Sequence, residues 1–183
     1  MRKQLVSMFF GLAMCLAAIQ PAAAQSLGVG FSVLSDDGGV GVIVDYARPF
    51  REQSNGNVFS WVGDLSYHRN SEDFGTTTDY NLSNVLAQGG IRFGGPLGDR
   101  LAWHGQGLLG IHHAAFSADD EGGVCDLFDT CDAGDTNFIG TVGGAIQYNL
   151  SQSGAVRAQL DFPIGDIGSS TRFSAMYIFR LGN

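Results

Sequence analysis

Thr171-Arg172-Phe173-Ser174-Ala175-Met176-Tyr177-Ile178-Phe179-Arg180-Leu181 reads as a β-strand. Phe173, Ala175, Tyr177, Phe179 and Leu181 fall on one parity, and Arg172, Ser174, Met176, Ile178 and Arg180 on the other. Successive side chains of a strand point to opposite faces, so one face is wholly apolar and the other carries charge. An apolar face of this kind is buried either in lipid or in a soluble core.

The same two-faced pattern recurs upstream, and counting back gives eight passes. Ser26 to Leu34 and Val40 to Arg48 form a hairpin around Asp36-Asp37-Gly38-Gly39, a sequence with suitable turn chemistry. Phe59, Trp61, Leu65 and Tyr67 set the apolar face of the third strand, and Val85, Ala87, Ile91 and Phe93 that of the fourth. The fifth places Leu101, Trp103, Leu109 and Ile111 together, the sixth Phe138, Val142, Ile146 and Tyr148, and the seventh Val156, Leu160, Phe162 and Ile164. Polar connections are expected at Asn70 to Asn84 and at Ser117 to Asn137.

Charge distribution separates lipid from a soluble core. The apolar parity of all eight strands lacks Asp, Glu, Lys and Arg, whereas the opposite parity holds Asp45, Asp64, Arg92, Arg157, Asp161, Arg172 and Arg180. An Arg or Lys facing lipid near the midplane costs about 2–4 kcal/mol, a physical cause for that exclusion. Aromatic residues gather toward strand ends, where membrane–water interfaces favour them. The alternative is an inside-out soluble barrel with an apolar ligand cavity, which would expose Gly28, Gly30, Gly41, Gly90 and Gly143 to water. Small residues fit the crowded interior of a narrow barrel better. The pattern predicts an all-β fold, an antiparallel up-and-down eight-stranded transmembrane barrel.

At the front, Arg2 and Lys3, an apolar run from Leu5 to Ile19, Pro21 and Ala22-Ala23-Ala24 have the layout of a signal peptide cleaved between Ala24 and Gln25. The run is short for a membrane anchor. The expected organisation is a signal peptide at 1–24 and one barrel domain at 25–183. Cleavage leaves eight basic residues, all arginine, against 18 acidic ones, a formal charge of −10. That balance argues against nucleic acid, whose phosphates require a basic surface. It also argues against a polybasic grip on anionic lipid heads.

With these features the chain resembles the small eight-stranded outer-membrane β-barrels of Gram-negative bacteria, the OmpA/OmpX-like group and its porin-family relatives. The resemblance spans Ser26 to Leu181 and is carried by the signal peptide, the strand count and the closing Phe173-to-Phe179 strand. It implies export through the periplasm, insertion by the barrel-assembly machinery, outer-membrane lipids as surroundings, a monomer, and periplasmic termini. The first, third, fifth and seventh connections would then face outward. Members of the group usually end on an aromatic residue recognised during assembly, whereas this chain runs on through Arg180 and Leu181.

In that setting Asp45, Asp64, Arg92, Arg157, Asp161 and Arg180 are expected to form a polar network inside the barrel, because buried charges must pair. Cys125 and Cys131 lie in the same outer connection, where an oxidising compartment favours a disulfide over two free thiols. Asp119, Asp120, Glu121, Asp126, Asp129, Asp132 and Asp135 in or beside that loop offer hard oxygen ligands, but their spacing fits no EF-hand; a solvated acidic loop without metal is the reading adopted. His112 and His113 are adjacent and point to opposite faces. The His-x-Ser arrangement of lipid A deacylases is absent, since His68, His104, His112 and His113 are followed two residues on by Asn70, Gln106, Ala114 and Ala115. The expectation is a non-enzymatic envelope component without cofactor, its outer loops open to recognition or adhesion. A small-solute channel is the alternative, ahead of a lipid A-modifying enzyme and a soluble periplasmic ligand-binding barrel.

Overall fold

A computed structural model describes residues 25–35, 39–73, 78–120, 132–165 and 168–181, and no helix occurs among them. The strands are β1 (Gln25–Leu34), β2 (Gly39–Glu52), β3 (Val58–Asp73), β4 (Thr78–Pro96), β5 (Leu101–Asp120), β6 (Asp132–Asn149), β7 (Gly154–Gly165), β8 (Gly168–Ser169) and β9 (Arg172–Leu181). Each strand from β1 to β7 pairs antiparallel with the next, and β9 pairs with β7 on one side and β1 on the other. β8 is a two-residue extension against the end of β7, so eight strands form the wall. The β1–β9 ladder runs from Gln25 opposite Leu181 to Leu34 opposite Arg172. That ladder closes the sheet into a barrel, with the extended ends of β3 beyond Arg69 and of β6 before Ile139 pairing on one side alone among the described residues; a closed sheet is the condition for standing in hydrocarbon.

Short turns at 53–57, 97–100 and 150–153 gather at the end where both described termini lie. In the first of these, Gly56 takes a φ of 80°, a backbone conformation costly for other residues. The β1–β2, β3–β4, β5–β6 and β7–β9 connections gather at the opposite end, called here the loop end.

The alternation sorts side chains as the sequence predicts. Phe31, Trp61, Leu109, Phe138 and Ile164 stand outward, with Phe31 71% exposed, while Asp45, Asp161, Arg172 and Ser174 are fully buried. Hydrocarbon facing outward and charge facing inward is the reverse of a water-soluble sheet. Near the turn end the outer face carries an aromatic row: Phe50 on Trp61 (5.0 Å between ring centroids), Phe59 on Phe93 (4.5 Å) and Phe93 edge-on to Trp103 (5.4 Å). Ring pairs at these separations attract beyond their burial.

Two differences from the sequence reading concern strand length. Pairing continues through Asp73 opposite Asp79, and through Ser117 opposite Asp132, so most of 70–84 and part of 117–137 are strand rather than loop. The sequence there is mostly polar, with no regular alternation to mark a strand, yet the backbones pair and hold a hairpin beyond any apolar belt. The second difference is β2, which passes Pro49 instead of ending at Arg48. Proline has no N–H to continue the ladder, and the register slips between Pro49 and Arg51. Phe50 joins the aromatic row at this irregularity.

Candidate functional site: the barrel interior

The inward parity of the strands converges on two charge clusters. In the first, nearer the turn end, Asp45 on β2 accepts from Arg92 on β4 and Arg157 on β7. Arg92 bonds both carboxylate oxygens, with Nη1 3.0 Å from Oδ1, and Arg157 Nη1 lies 2.9 Å from the same Oδ1. Arg92 also donates to Gln106 Oε1 from Nε and Nη2, at 3.0 and 2.7 Å, and Arg157 donates to Gln147 Oε1 at 3.2 and 3.0 Å. Both glutamines stand directly opposite their arginines on the neighbouring strand.

The second cluster, nearer the loop end, centres on Arg172 of β9. It donates to both oxygens of Asp64 on β3 at 2.7 and 3.0 Å, and to Ser66 Oγ at 3.0 Å. Nε and Nη2 both reach Asp161 Oδ2 on β7, at 3.2 and 2.8 Å. Gln106 joins the clusters, accepting from Arg92 while its amide donates to Asp161 Oδ1 at 2.9 Å. Each guanidinium reaches across the lumen rather than along its own strand. Charges this deep are tolerable only when paired and hydrogen-bonded, which is what the geometry supplies.

Glycine makes room for the second cluster. A Cβ on Gly143, directly across from Asp161, would sit 1.9 Å from the Asp161 carboxylate. Gly28 similarly admits Asp45 and Ile178.

Of the six interior residues expected from sequence, the structure brings Asp45, Asp64, Arg92, Arg157 and Asp161 together, and Arg180 stands apart. Its guanidinium closes the 150–153 turn, donating to the carbonyls of Ser151 and Gln152 at 3.3 and 3.1 Å and to Asn149 Oδ1. The missing member is Arg172. It lies on the same parity as Arg180, and the signal that separates them is hairpin register: counting from the β7–β9 connection places Arg172 opposite Asp161.

Toward the loop end the lumen is filled by apolar and neutral groups. Leu34, Leu86 and Ile139 form a buried cluster there, while Ile43, Ala155, Met176 and Ile178 form another on the turn side, where Ala155 and Ile178 pair just beyond the 150–153 turn. His68 Nε2 lies 2.7 Å from Ser32 Oγ, and His112 Nε2 lies 2.9 Å from Asn84 Oδ1. The Ser32–His68 contact has the separation of a nucleophile and its base, but both residues are sealed from solvent and His68 Nδ1 has no orienting partner among the described residues. His113 points outward to Thr136 Oγ1. Asp135 accepts from Thr136 N and Asn137 Nδ2, and no group able to hold a metal ion occurs among the described residues. Ala24, Cys125 and Cys131, and with them the cleavage site and the disulfide, lie outside the described residues; Gln25 is the first residue of β1.

At the turn end the lumen opens into a vestibule of about 360 Å³ whose inner wall includes Arg92 and Arg157. The lumen is therefore a cup, stopped at its floor by the first charge cluster.

No family model matches the sequence, and no curated relative matches it. Solved structures do match. Ail, the attachment invasion locus protein of Yersinia pestis, superposes with a TM-score of 0.58 at 15% identity, over 87% of this chain and all of that one. Neisserial surface protein A gives 0.53 at 12% identity, over 86% of this chain and 96% of the other. The N-terminal β-barrel domain of Pseudomonas aeruginosa OprF gives 0.50 at 14% identity, over 88% of this chain and all of that domain. Identities this low carry the fold alone, and the fold agrees with the closed sheet, apolar exterior and charged interior described above. In architecture the chain is a small eight-stranded antiparallel β-barrel of the outer-membrane type.

Proposed function

We propose that the chain is an outer-membrane barrel of a Gram-negative envelope whose role is structural, with its outer connections available for recognition or adhesion, and that it is neither an open pore nor an enzyme. The observation that carries this reading is the crossed set of ion pairs spanning the lumen, Arg92 and Arg157 on Asp45 and Arg172 on Asp64 and Asp161. A barrel of about eight strands has room for side chains and little more, and here the crossed pairs fill its middle. The apolar exterior supports insertion in lipid, and extension of β3 to β6 toward the loop end supports an outward-facing platform. The name of one structural neighbour, attachment invasion locus protein, is in keeping with a role borne by such loops.

A small-solute channel is the second reading, favoured by the vestibule, which carries water-accessible space part of the way through. Planar-bilayer recording decides between them. The purified protein is expected to pass no steady porin-sized current; such a current would make the channel the better account.

A further inference from the structure

We infer that the turn-end vestibule is a binding site for a small soluble oxyanion of the phosphate class, held by Arg92 and Arg157. The argument starts from charge. In the turn-end cluster one carboxylate, Asp45, faces two guanidiniums, so one positive charge is left over; in the loop-end cluster one guanidinium, Arg172, serves two carboxylates. The two surpluses cancel over the whole lumen but sit in different surroundings. All of these groups are buried, but Arg92 and Arg157 line the vestibule at the turn end, whereas Arg172 and its acids do not.

Donor capacity agrees with charge. A guanidinium offers five N–H groups. Arg172 makes five hydrogen bonds and is saturated. Arg92 makes four and Arg157 three, so N–H groups remain on both, beside the cavity. His104, whose Nε2 is buried with no partner among the described residues, lies on the same wall with Gln147 and Arg180. Among the described residues the one acid lining the space is Asp99, on the exposed 97–100 turn. A tetrahedral oxyanion matches what is left over: it carries the compensating charge and has several acceptor oxygens for arginines fixed in direction by Asp45, Gln106 and Gln147. The volume of about 360 Å³ admits it with part of its water shell. Apart from Leu101 on the outer parity of β5, the cavity is bounded mainly by inward side chains and turns, so the ligand is a free solute and not a lipid headgroup.

The test is a titration of isotopically labelled protein with inorganic phosphate in dodecyl maltoside, which brings no phosphate of its own, at fixed chloride. The Nε–H resonances of Arg92 and Arg157 are expected to move together on one saturable curve while that of Arg172 stays in place. Arg157→Gln, which leaves Asp45 paired one-to-one with Arg92, is expected to weaken binding by roughly tenfold or more, and Arg51→Gln, on an exposed residue that does not line the cavity, to leave it unchanged. Absence of a saturable shift, movement confined to exposed arginines, or an unaltered curve in Arg157→Gln would overturn the proposal. Should Arg157→Gln fail to fold, the wild-type resonances decide alone.

Discussion

Asp45 and Asp64 stand directly opposite each other on β2 and β3, both buried, and they are held by different arginines. Two carboxylates in that relation repel. Arg92 and Arg157 take the first and Arg172 takes the second, so each arginine also relieves repulsion across the pair. Arg172 alone bridges β3, β7 and β9, which makes it the residue whose loss leaves most charge stranded.

Replacing it by methionine is expected to cost about 3–5 kcal/mol, the range for breaking a buried pair and leaving its partners behind. Urea titration read by the mobility of unboiled protein measures this. Adding Asp64→Asn to Arg172→Met should recover part of the loss, because one orphaned charge is then removed. A single variant within about 1 kcal/mol of wild type would show that the cluster does not carry the weight assigned to it.

Glycines in the wall divide into two classes with opposite expected effects. Gly143→Ala drives a methyl into the Asp161 carboxylate and should cost about 1–3 kcal/mol through displacement of that group. Gly63 faces outward with nothing within 4 Å of an added Cβ and has no special φ. Gly63→Ala should be neutral or stabilising by about 0.4–1 kcal/mol, since it narrows the unfolded ensemble. The same denaturant titration ranks the two, and the reverse order would refute the inward and outward assignment.

Val29 lies midway along the ten-residue β1 and faces outward. If that face meets lipid, Val29→Arg costs about 2–4 kcal/mol in bilayers, while Leu97→Arg, on an exposed turn, changes stability by less than about 0.5 kcal/mol. Equal and small effects at both sites would mean that water, not lipid, covers β1.

If the protein is exported as proposed, Cys125 and Cys131 are both expected to resist alkylation in purified mature protein until a reductant is added. Labelling of both thiols without reductant would remove the disulfide from the account.

The alternation made most of the fold legible before any coordinates: Phe173, Tyr177 and Phe179 against Arg172, Ser174 and Ile178 separate the two faces of β9, and the other strands follow. The interior acids and arginines were legible for the same reason, as charges on the inward parity. What parity does not encode is register. Arg172 and Arg180 share a parity, yet one meets Asp161 across a hairpin and the other reaches the 150–153 turn. The extension of β3 to β6 at the loop end was illegible for a different reason. Beyond the apolar belt neither face of a strand needs hydrocarbon, so residues such as Asn70 and Asn84 look like loop while their backbones pair.

The most direct test of the central claim, a closed barrel standing in the outer membrane, is fractionation of expressing cells followed by electrophoresis of the mature protein with and without boiling. The account predicts recovery in the outer-membrane fraction and a mobility that shifts on boiling, as a detergent-resistant closed sheet unfolds. Recovery as a soluble periplasmic protein with one mobility in both lanes would contradict it.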